Sequence, residues 1–389
     1  MISVKDLHII SFNIPYPPSY GGLIDIYYKI RQLYEAGYLI HLHAFEYNRK
    51  PSPDLEKYCT TFNYYKRRKG IFSFLSSKPY IVYSRKNPLL LANLLKNDYP
   101  ILFEGLHSCY YLNDIALRNR IKLVRMHNIE HKYYKELYLV SKNIFEKFYF
   151  LTESIKLKFF EKNLKAASEL LAINQNETLY FREKYGKTTW VSAFHANSIV
   201  NSIPGKGKFI LLHGNLSVIE NENAIIHALK KILNSVNFHI IIAGHSPSRK
   251  LIHEAGKNSN VRLIVSPDDN EMNRLIKEAH IHLLISFQNT GMKLKLLNAL
   301  FSGRFVIANP DIVLGTGLER MVLTGNTNSE LTGIIIQTIP LEFTTIMIEE
   351  RKQSLSPFSA KESSAKLDKI IQSHLTHNRF QGLKLTETN

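Results

Sequence analysis

Short apolar runs, each followed by a helical pattern, repeat through the second half of this chain and restrict its fold more than any other feature. Residues 209–213, 238–243, 261–265, 281–285 and 305–308 are apolar stretches of strand length. Between the first two, Ile225, Leu229, Ile232 and Val236 recur at helical spacing. Ser217-x-x-Glu220 has the spacing of a capping box, and Asp268 with Glu271 marks another helix start. Apolar strands alternating with helices imply a parallel sheet buried on both faces, because every crossover lays a helix on the sheet. The fold class expected is therefore α/β, doubly wound.

The first half follows the same grammar. Residues 7–12 and 38–44 read as strands around a helix over 23–36. The turn before that helix carries Pro15, Pro17 and Pro18 and ends in Gly21 and Gly22. Further strands are expected at 101–103, 122–124 and 170–173. A long helix is expected over 142–167, with Phe148, Leu151, Ile155, Phe159 and Leu164 as its core-facing stripe. A Ser-, Pro-, Gly- and Lys-rich linker lies at 197–208, and a short helical stretch at 363–373. A chain of 389 residues exceeds one ordinary core. The expected division is a first domain over 1–200, a second over 201–355, and a C-terminal helix with a polar tail over 356–389.

Charge narrows the partners. The net charge is +17, and residues 1–200 alone hold 29 lysines and arginines against 17 acids. The densest run is Lys66, Arg67, Arg68 and Lys69, followed by Ile71, Phe72, Phe74 and Leu75. Basic residues beside apolar ones suit an anionic membrane surface. Nucleic acid is not expected, since no recognisable module accompanies the charge. Cys59 and Cys109 cannot form a disulfide framework, which fits a reducing cytosol. No stretch of about 18 apolar residues is present, and the start lacks a signal-peptide layout. A cytoplasmic protein, peripheral at the inner face of the membrane, is the expectation. No Asp-x-Asp triplet and no His or Cys cluster at zinc spacing occurs, so neither a metal nor a cofactor is expected.

In doubly wound sheets, ligands bind beyond the carboxyl ends of the strands. The most informative such place is residues 290–310. A turn with Gly291 opens a helix there, Lys293 and Lys295 sit at its start, and Gly303 closes it. Unpaired N–H groups and the positive end of the dipole, together with two lysines, suit a phosphate-bearing ligand.

Several motifs together resemble a known family over nearly the whole length. They are Tyr16-Pro-Pro-x-x-Gly-Gly22, Arg125-x-His-Asn-x-Glu130, Gly214-Asn-Leu-Ser217, Ala243-Gly244, and Gly-x-x-x-Lys-Leu-Leu-x-Ala-Leu-x-x-Gly-Arg from Gly291. The chain resembles the GT-B glycosyltransferases of the large retaining group that use nucleotide-diphosphate sugars. The resemblance implies two Rossmann-like domains facing each other across a cleft, the first for a saccharide or lipid-linked acceptor and the second for the nucleotide-sugar donor. It places Gly21, Gly22, Gly214, Asn215, Gly244, Thr290 and Gly291 at the donor, Gly21 and Gly22 by permitting close approach and positive φ. It puts Asn298 near the ribose and His127 by the transferred sugar. Lys293 and Lys295 would neutralise the departing phosphates without a metal. Such enzymes often carry two glutamates eight residues apart, where this chain has Thr290 and Asn298, and basic residues where it has Asn215. Glu130 is the nearest candidate for a covalent nucleophile. Two other readings stay open: a sugar-nucleotide epimerase using His107, His127 and His131, and a non-catalytic saccharide-binding protein on the same fold.

Overall fold

The computed structural model describes residues 5–70, 73–74, 76–288 and 293–386, with side chains as far as residue 377. The chain separates into two units, one from residues 1–196 and 360–389, the other from residues 197–289 and 293–359.

The first unit is a seven-stranded parallel sheet. Its strands are β1 (Lys5–Ser11), β2 (Tyr38–Glu46), β3 (Thr61–Lys66), β4 (Ile101–Glu104), β5 (Lys122–Met126), β6 (Glu169–Ala172) and β7 (Thr188–Trp190), in the order β3-β2-β1-β4-β5-β6-β7. Helix α1 (Gly21–Glu35) joins β1 to β2. Helices α2 (Glu130–Val140) and α3 (Ile144–Phe160) form a hairpin between β5 and β6, and α4 (Gln175–Tyr185) joins β6 to β7. Side chains of β1 alternate between faces, as a strand requires. Leu7 and Ile9 pack with Leu23, Ile26 and Ile30 of α1, while Ile10 joins a separate cluster with Phe45, Phe103 and Val124.

In the second unit the strands are β8 (Ile210–His213), β9 (Ile240–Gly244), β10 (Val261–Val265), β11 (Ile281–Leu284), β12 (Phe305–Ala308) and β13 (Leu323–Thr324). All pair in parallel, in the order β10-β9-β8-β11-β12-β13. Its helices of eight residues or more are α5 (Ile219–Lys231), α6 (Arg249–Gly256), α7 (Asp269–Glu278), α8 (Leu294–Ser302), α9 (Asn328–Thr338) and α10 (Thr345–Leu355). Both units are doubly wound. The last helix, α11 (Ala360–Thr386), belongs to the first unit, where Leu367, Ile370 and Ile371 enter the α1 cluster.

Three expectations need correction. Phe148, Leu151, Ile155 and Phe159 are exposed; α3 turns Glu153, Ser154, Leu157 and Phe160 inward instead, and only Leu164 of the expected stripe is buried. The Ser217–Glu220 capping box does not form, because the Ser217 hydroxyl donates to Asn215 Oδ1 at 2.7 Å and α5 starts after Val218. Gly21 and Gly22 do not adopt positive φ; they are the first residues of α1.

Candidate functional site

In the second unit the sheet order changes direction between β8 and β11. The chain leaves β8 through α5 toward β9 on one side, and leaves β11 through α8 toward β12 on the other. This switch point is where an open α/β sheet presents a crevice. Most helices of the unit begin with a side-chain cap: Ser248, Asp268, Thr327 and Thr344 each accept a backbone N–H. At the switch point the pattern differs. Val218 before α5 and Lys293 before α8 make no side-chain cap, so among the described residues the first-turn amides there, apart from Leu296 N, which donates to the Lys293 carbonyl, are left without a cap.

Lys293 and Lys295 belong to the second of these helix starts. Lys295 is half-buried and its Nζ donates to the Ile285 carbonyl at 3.2 Å. Burial, and then the charge of Lys293, bring its pKa down to about 8, against an opposing pull from Glu220. Glu220 lies in the first turn of α5; burial raises its pKa and the two lysines partly offset that. Two neighbouring cations, one of them partly desolvated, are an arrangement that an anion would suit.

His213, the last residue of β8, is buried beside them, and among the described residues neither of its ring nitrogens has a hydrogen-bond partner. It lines a cavity of ≈ 10 Å³ with Asn221, Ile285 and Lys295. Burial, and then Lys295, push its pKa down to about 4, so it is neutral near pH 7. Sequence reasoning gave neither His213 nor Glu220 a role of its own at this site; their signal was position, at a strand end and in a helix first turn beside the motif.

The other donor candidates divide. Gly214 follows β8, and among the described residues an added Cβ there would meet the Asn221 side chain, at 3.7 Å. The Asn215 carboxamide oxygen accepts from the backbone and hydroxyl of Ser217 at 3.1 and 2.7 Å, so Asn215 shapes the loop. At Gly244 a Cβ would fall on the Gly214 carbonyl oxygen, so glycine is needed for packing between the ends of β8 and β9. The Asn298 oxygen accepts from Asn197 Nδ2 at 3.0 Å. Thr290 and Gly291 lie outside the described residues. The end of the motif is structural. A Cβ on Gly303 would strike the His282 ring, and Arg304 ties down the carbonyls of Gly205, Lys277 and Ala279.

The first unit has its own rim, where β1 and β4 end. Beneath it lies a cluster of charged groups. Lys29 Nζ sits 2.9 Å from Asp25 Oδ2 and 2.7 Å from Glu104 Oε1, all three fully buried. Arg125 grips Asp25 through Nε at 3.1 Å and Nη2 at 2.9 Å. Burial would raise the pKa values of Asp25 and Glu104, but Arg125 and Lys29 at Asp25, and Lys29 and His127 at Glu104, reverse this and keep both ionised. His127 Nε2 lies 3.1 Å from Glu104 Oε2, and since an ionised carboxylate only accepts, Nε2 carries the proton. The candidate ligand atoms of Asp25, Glu104 and His127 lie within 4.8 Å of one another. A metal ion there would meet two resident cations on the same carboxylates, so the donor set reads as an ion-pair network. His127 keeps 9% of its side-chain surface exposed, which leaves a narrow edge for a ligand.

Gly105, next to Glu104, has φ +68°, and a Cβ there would sit 3.1 Å from His107 Nδ1 and 3.5 Å from His127 Cδ2. His107 is 3.8 Å from Glu130 Oε1. Burial, and then Glu177, push the Glu130 pKa up to about 8, so its carboxyl is largely protonated near pH 7 and ill suited to nucleophilic attack. His131 is bonded to Glu161 at 3.0 Å, away from any shared cluster with His127. Of the histidines an epimerase would bring together, His131 is thus committed elsewhere.

Residues 207–345 match the sequence profile of the family described as glycosyl transferases group 1. A relative from Klebsiella pneumoniae, described as an uncharacterized 44.6 kDa protein in the cps region, is 28% identical over 348 residues, covering 82% of this chain and 87% of its own. Among solved structures, sucrose-phosphate synthase from Thermosynechococcus elongatus is similar with a TM-score of 0.70 at 14% identity, over 96% of this chain and 100% of that one. HepE from Anabaena, solved in complex with UDP and glucose, is similar with a TM-score of 0.63 at 14% identity, over 95% and 100%. The solved structures show the fold, which is the GT-B fold, and the profile ties residues 207–345 to the glycosyl transferases group 1.

Proposed function

We propose that the protein moves a hexosyl unit from a nucleotide-diphosphate sugar to a saccharide or lipid-linked acceptor, on the cytoplasmic side, in the assembly of a surface polysaccharide or glycoconjugate. The observation that carries this reading is the pair of helix starts without side-chain caps at the β8–β11 switch point, with Lys293 and half-buried Lys295 between them. Their amides and ammonium groups would hold the diphosphate. As the bond from sugar C1 to the phosphate oxygen breaks, that oxygen keeps the electron pair. The acceptor oxygen bonds to C1 and gives up its proton to the departing phosphate oxygen, which holds the freed electron pair. Charge growing on the departing phosphate is met by cations already in place, which lowers the barrier without solvent rearrangement.

In this reading a metal is not required, since the lysines take the role a divalent ion plays elsewhere. Retention of the anomeric configuration rests on the family resemblance. The largely neutral Glu130 supports a route without an enzyme-bound sugar. We assign the rim carrying His127 to the acceptor. A relative in the polysaccharide-related cps region supports the class of product, and a structural neighbour holding UDP and glucose supports the class of donor.

The test is acceptor-free hydrolysis. Wild-type protein in excess EDTA is incubated with a panel of sugar nucleotides, and nucleoside diphosphate release is measured. One sugar nucleotide should be hydrolysed slowly in EDTA, and Lys293→Ala/Lys295→Ala should abolish the release. Release unchanged in that variant would reject the assignment, and release that appears only with added divalent ions would reject its metal independence.

A further inference from the structure

The exposed face of α3 is unusual for a water-soluble surface. Ile144, Phe145, Phe148, Leu151, Ile155 and Phe159 share one side of the helix, within roughly 120° of its circumference at 3.6 residues per turn. Ile144 is 71% exposed, Phe145 82%, Phe148 71% and Phe159 64%. Leu139 and Val140, at the end of α2, extend the same exposed tip. From Ile144 to Phe159 the ridge is about 24 Å long at 1.5 Å per residue. Single exposed apolar residues need no explanation, but a continuous row does.

Charge surrounds the row. Residues 132–165 hold eight lysines and four glutamates, and two of those glutamates, Glu153 and Glu161, are buried. Lys147 and Lys158 fall along one edge of the apolar face and Lys156 along the other, by helical position. The basic segment Lys66, Arg67, Arg68 and Lys69 is a neighbour in space, since the Arg67 charge acts on Tyr149 of α3. Phe74, a few residues further on, packs edge-on against Tyr149 of α3 with ring centroids 5.8 Å apart, and Lys156 Nζ donates to its carbonyl at 2.7 Å.

We propose that α3 lies in the headgroup layer of an anionic lipid bilayer. Its apolar face enters the acyl boundary, and the flanking lysines with the 66–69 segment rest on lipid phosphates. The combination of an in-plane apolar face and a lysine rim is what such a contact needs. A second copy of this chain is a poor occupant, because pairing the two ridges would bring two positive rims together. The surface is independent of the donor site, so failure of one leaves the other standing.

The experiment is flotation of the full chain with vesicles of phosphatidylcholine alone or mixed equally with phosphatidylglycerol. The wild type should float with the anionic vesicles only. Phe145→Ser/Phe148→Ser/Phe159→Ser alters exposed positions and should keep the wild-type circular dichroism while partitioning at least about tenfold less, since each buried aromatic contributes appreciable transfer energy. A Phe148→Trp variant should be quenched by brominated lipid well beyond the native Trp190 signal. The proposal is overturned if the wild type stays with the unbound fraction, if the triple variant floats equally well, or if brominated lipid leaves the Phe148→Trp signal unchanged. It is also overturned if the wild type sediments as a dimer that the triple variant converts to monomer, which would give the ridge to a second copy.

Discussion

Replacing Lys295 by methionine separates a functional cation from a structural one. Methionine keeps the apolar stem and loses the ammonium group. In the folded chain, burial and the neighbouring Lys293 lower the Lys295 pKa from 10.5 to about 8. At pH 7 the group is still charged in both states, so folding carries a penalty absent from the unfolded chain. At about 1.4 kcal/mol per pH unit, that displacement amounts to ~3 kcal/mol. Loss of the hydrogen bond to Ile285 takes back about 1 kcal/mol. The ligand-free variant should therefore be more stable than wild type by roughly 1–3 kcal/mol in a urea titration at pH 7. Because the folded pKa is the lower one, wild-type stability should rise as pH climbs from 8 to 10.5, and the variant should lack that rise. The same change removes a charge-assisted contact with the diphosphate, worth about 1.5–3 kcal/mol, so calorimetry should show Kd for the preferred nucleoside diphosphate weakened roughly ten- to hundredfold. A variant that is less stable and binds nucleotide as tightly as wild type would refute the reasoning.

Acid should unfold both units over a narrow range. Burial first of all holds His8 and His213 at about 4 and His43 and His282 at about 3, so below pH 6.5 the unfolded chain gains protons that the folded one refuses. Each unit, with at least two such histidines, should lose at least about 3 kcal/mol per pH unit as pH falls, followed by circular dichroism and, for the first unit, Trp190 fluorescence. Gly244→Ala should destabilise the second unit by about 1–3 kcal/mol in urea, since its methyl group meets the Gly214 carbonyl, and nucleotide affinity should fall with it. Lys29→Met leaves Asp25 and Glu104 buried with one cation fewer and should cost about 3–5 kcal/mol by chemical denaturation. Glu130 holds its proton up to about pH 8 when folded, so its contribution is complete below pH 4.5 and is lost as pH rises through 8. Glu130→Gln should flatten that decline in a pH series of urea titrations and leave sugar-nucleotide hydrolysis at pH 7 intact.

Much of the architecture was legible because parallel strands buried on both faces must be written as continuous apolar runs. The strand expected over 281–285 appears as Ile281–Leu284, and that over 305–308 as Phe305–Ala308. Polar or edge strands were missed for the same reason: Thr61–Lys66 and Thr188–Trp190 lack such a run. Helical periodicity showed that Phe148, Leu151, Ile155 and Phe159 share a face, but not which face meets the protein. Buried Glu153, which accepts from the Tyr80 amide at 2.6 Å, settles that orientation through a partner 73 residues away. Lys293 and Lys295 were visible from their place at a helix start. The network beneath His127 was not, since only Asp25 and Lys29 are neighbours along a helix, and Glu104 and Arg125 arrive from other strands. Asn215 misled the reading of Ser217 because a side-chain oxygen two residues earlier competes for its hydroxyl.

Hydrogen exchange with and without the most stabilising nucleoside diphosphate tests the donor site most directly. The account predicts slowed exchange at the first-turn amides of α5, residues 219–222, and of α8, residues 294–297, with both effects lost in Lys293→Ala/Lys295→Ala. Protection confined to the first unit, or no protection with any nucleotide, would contradict it.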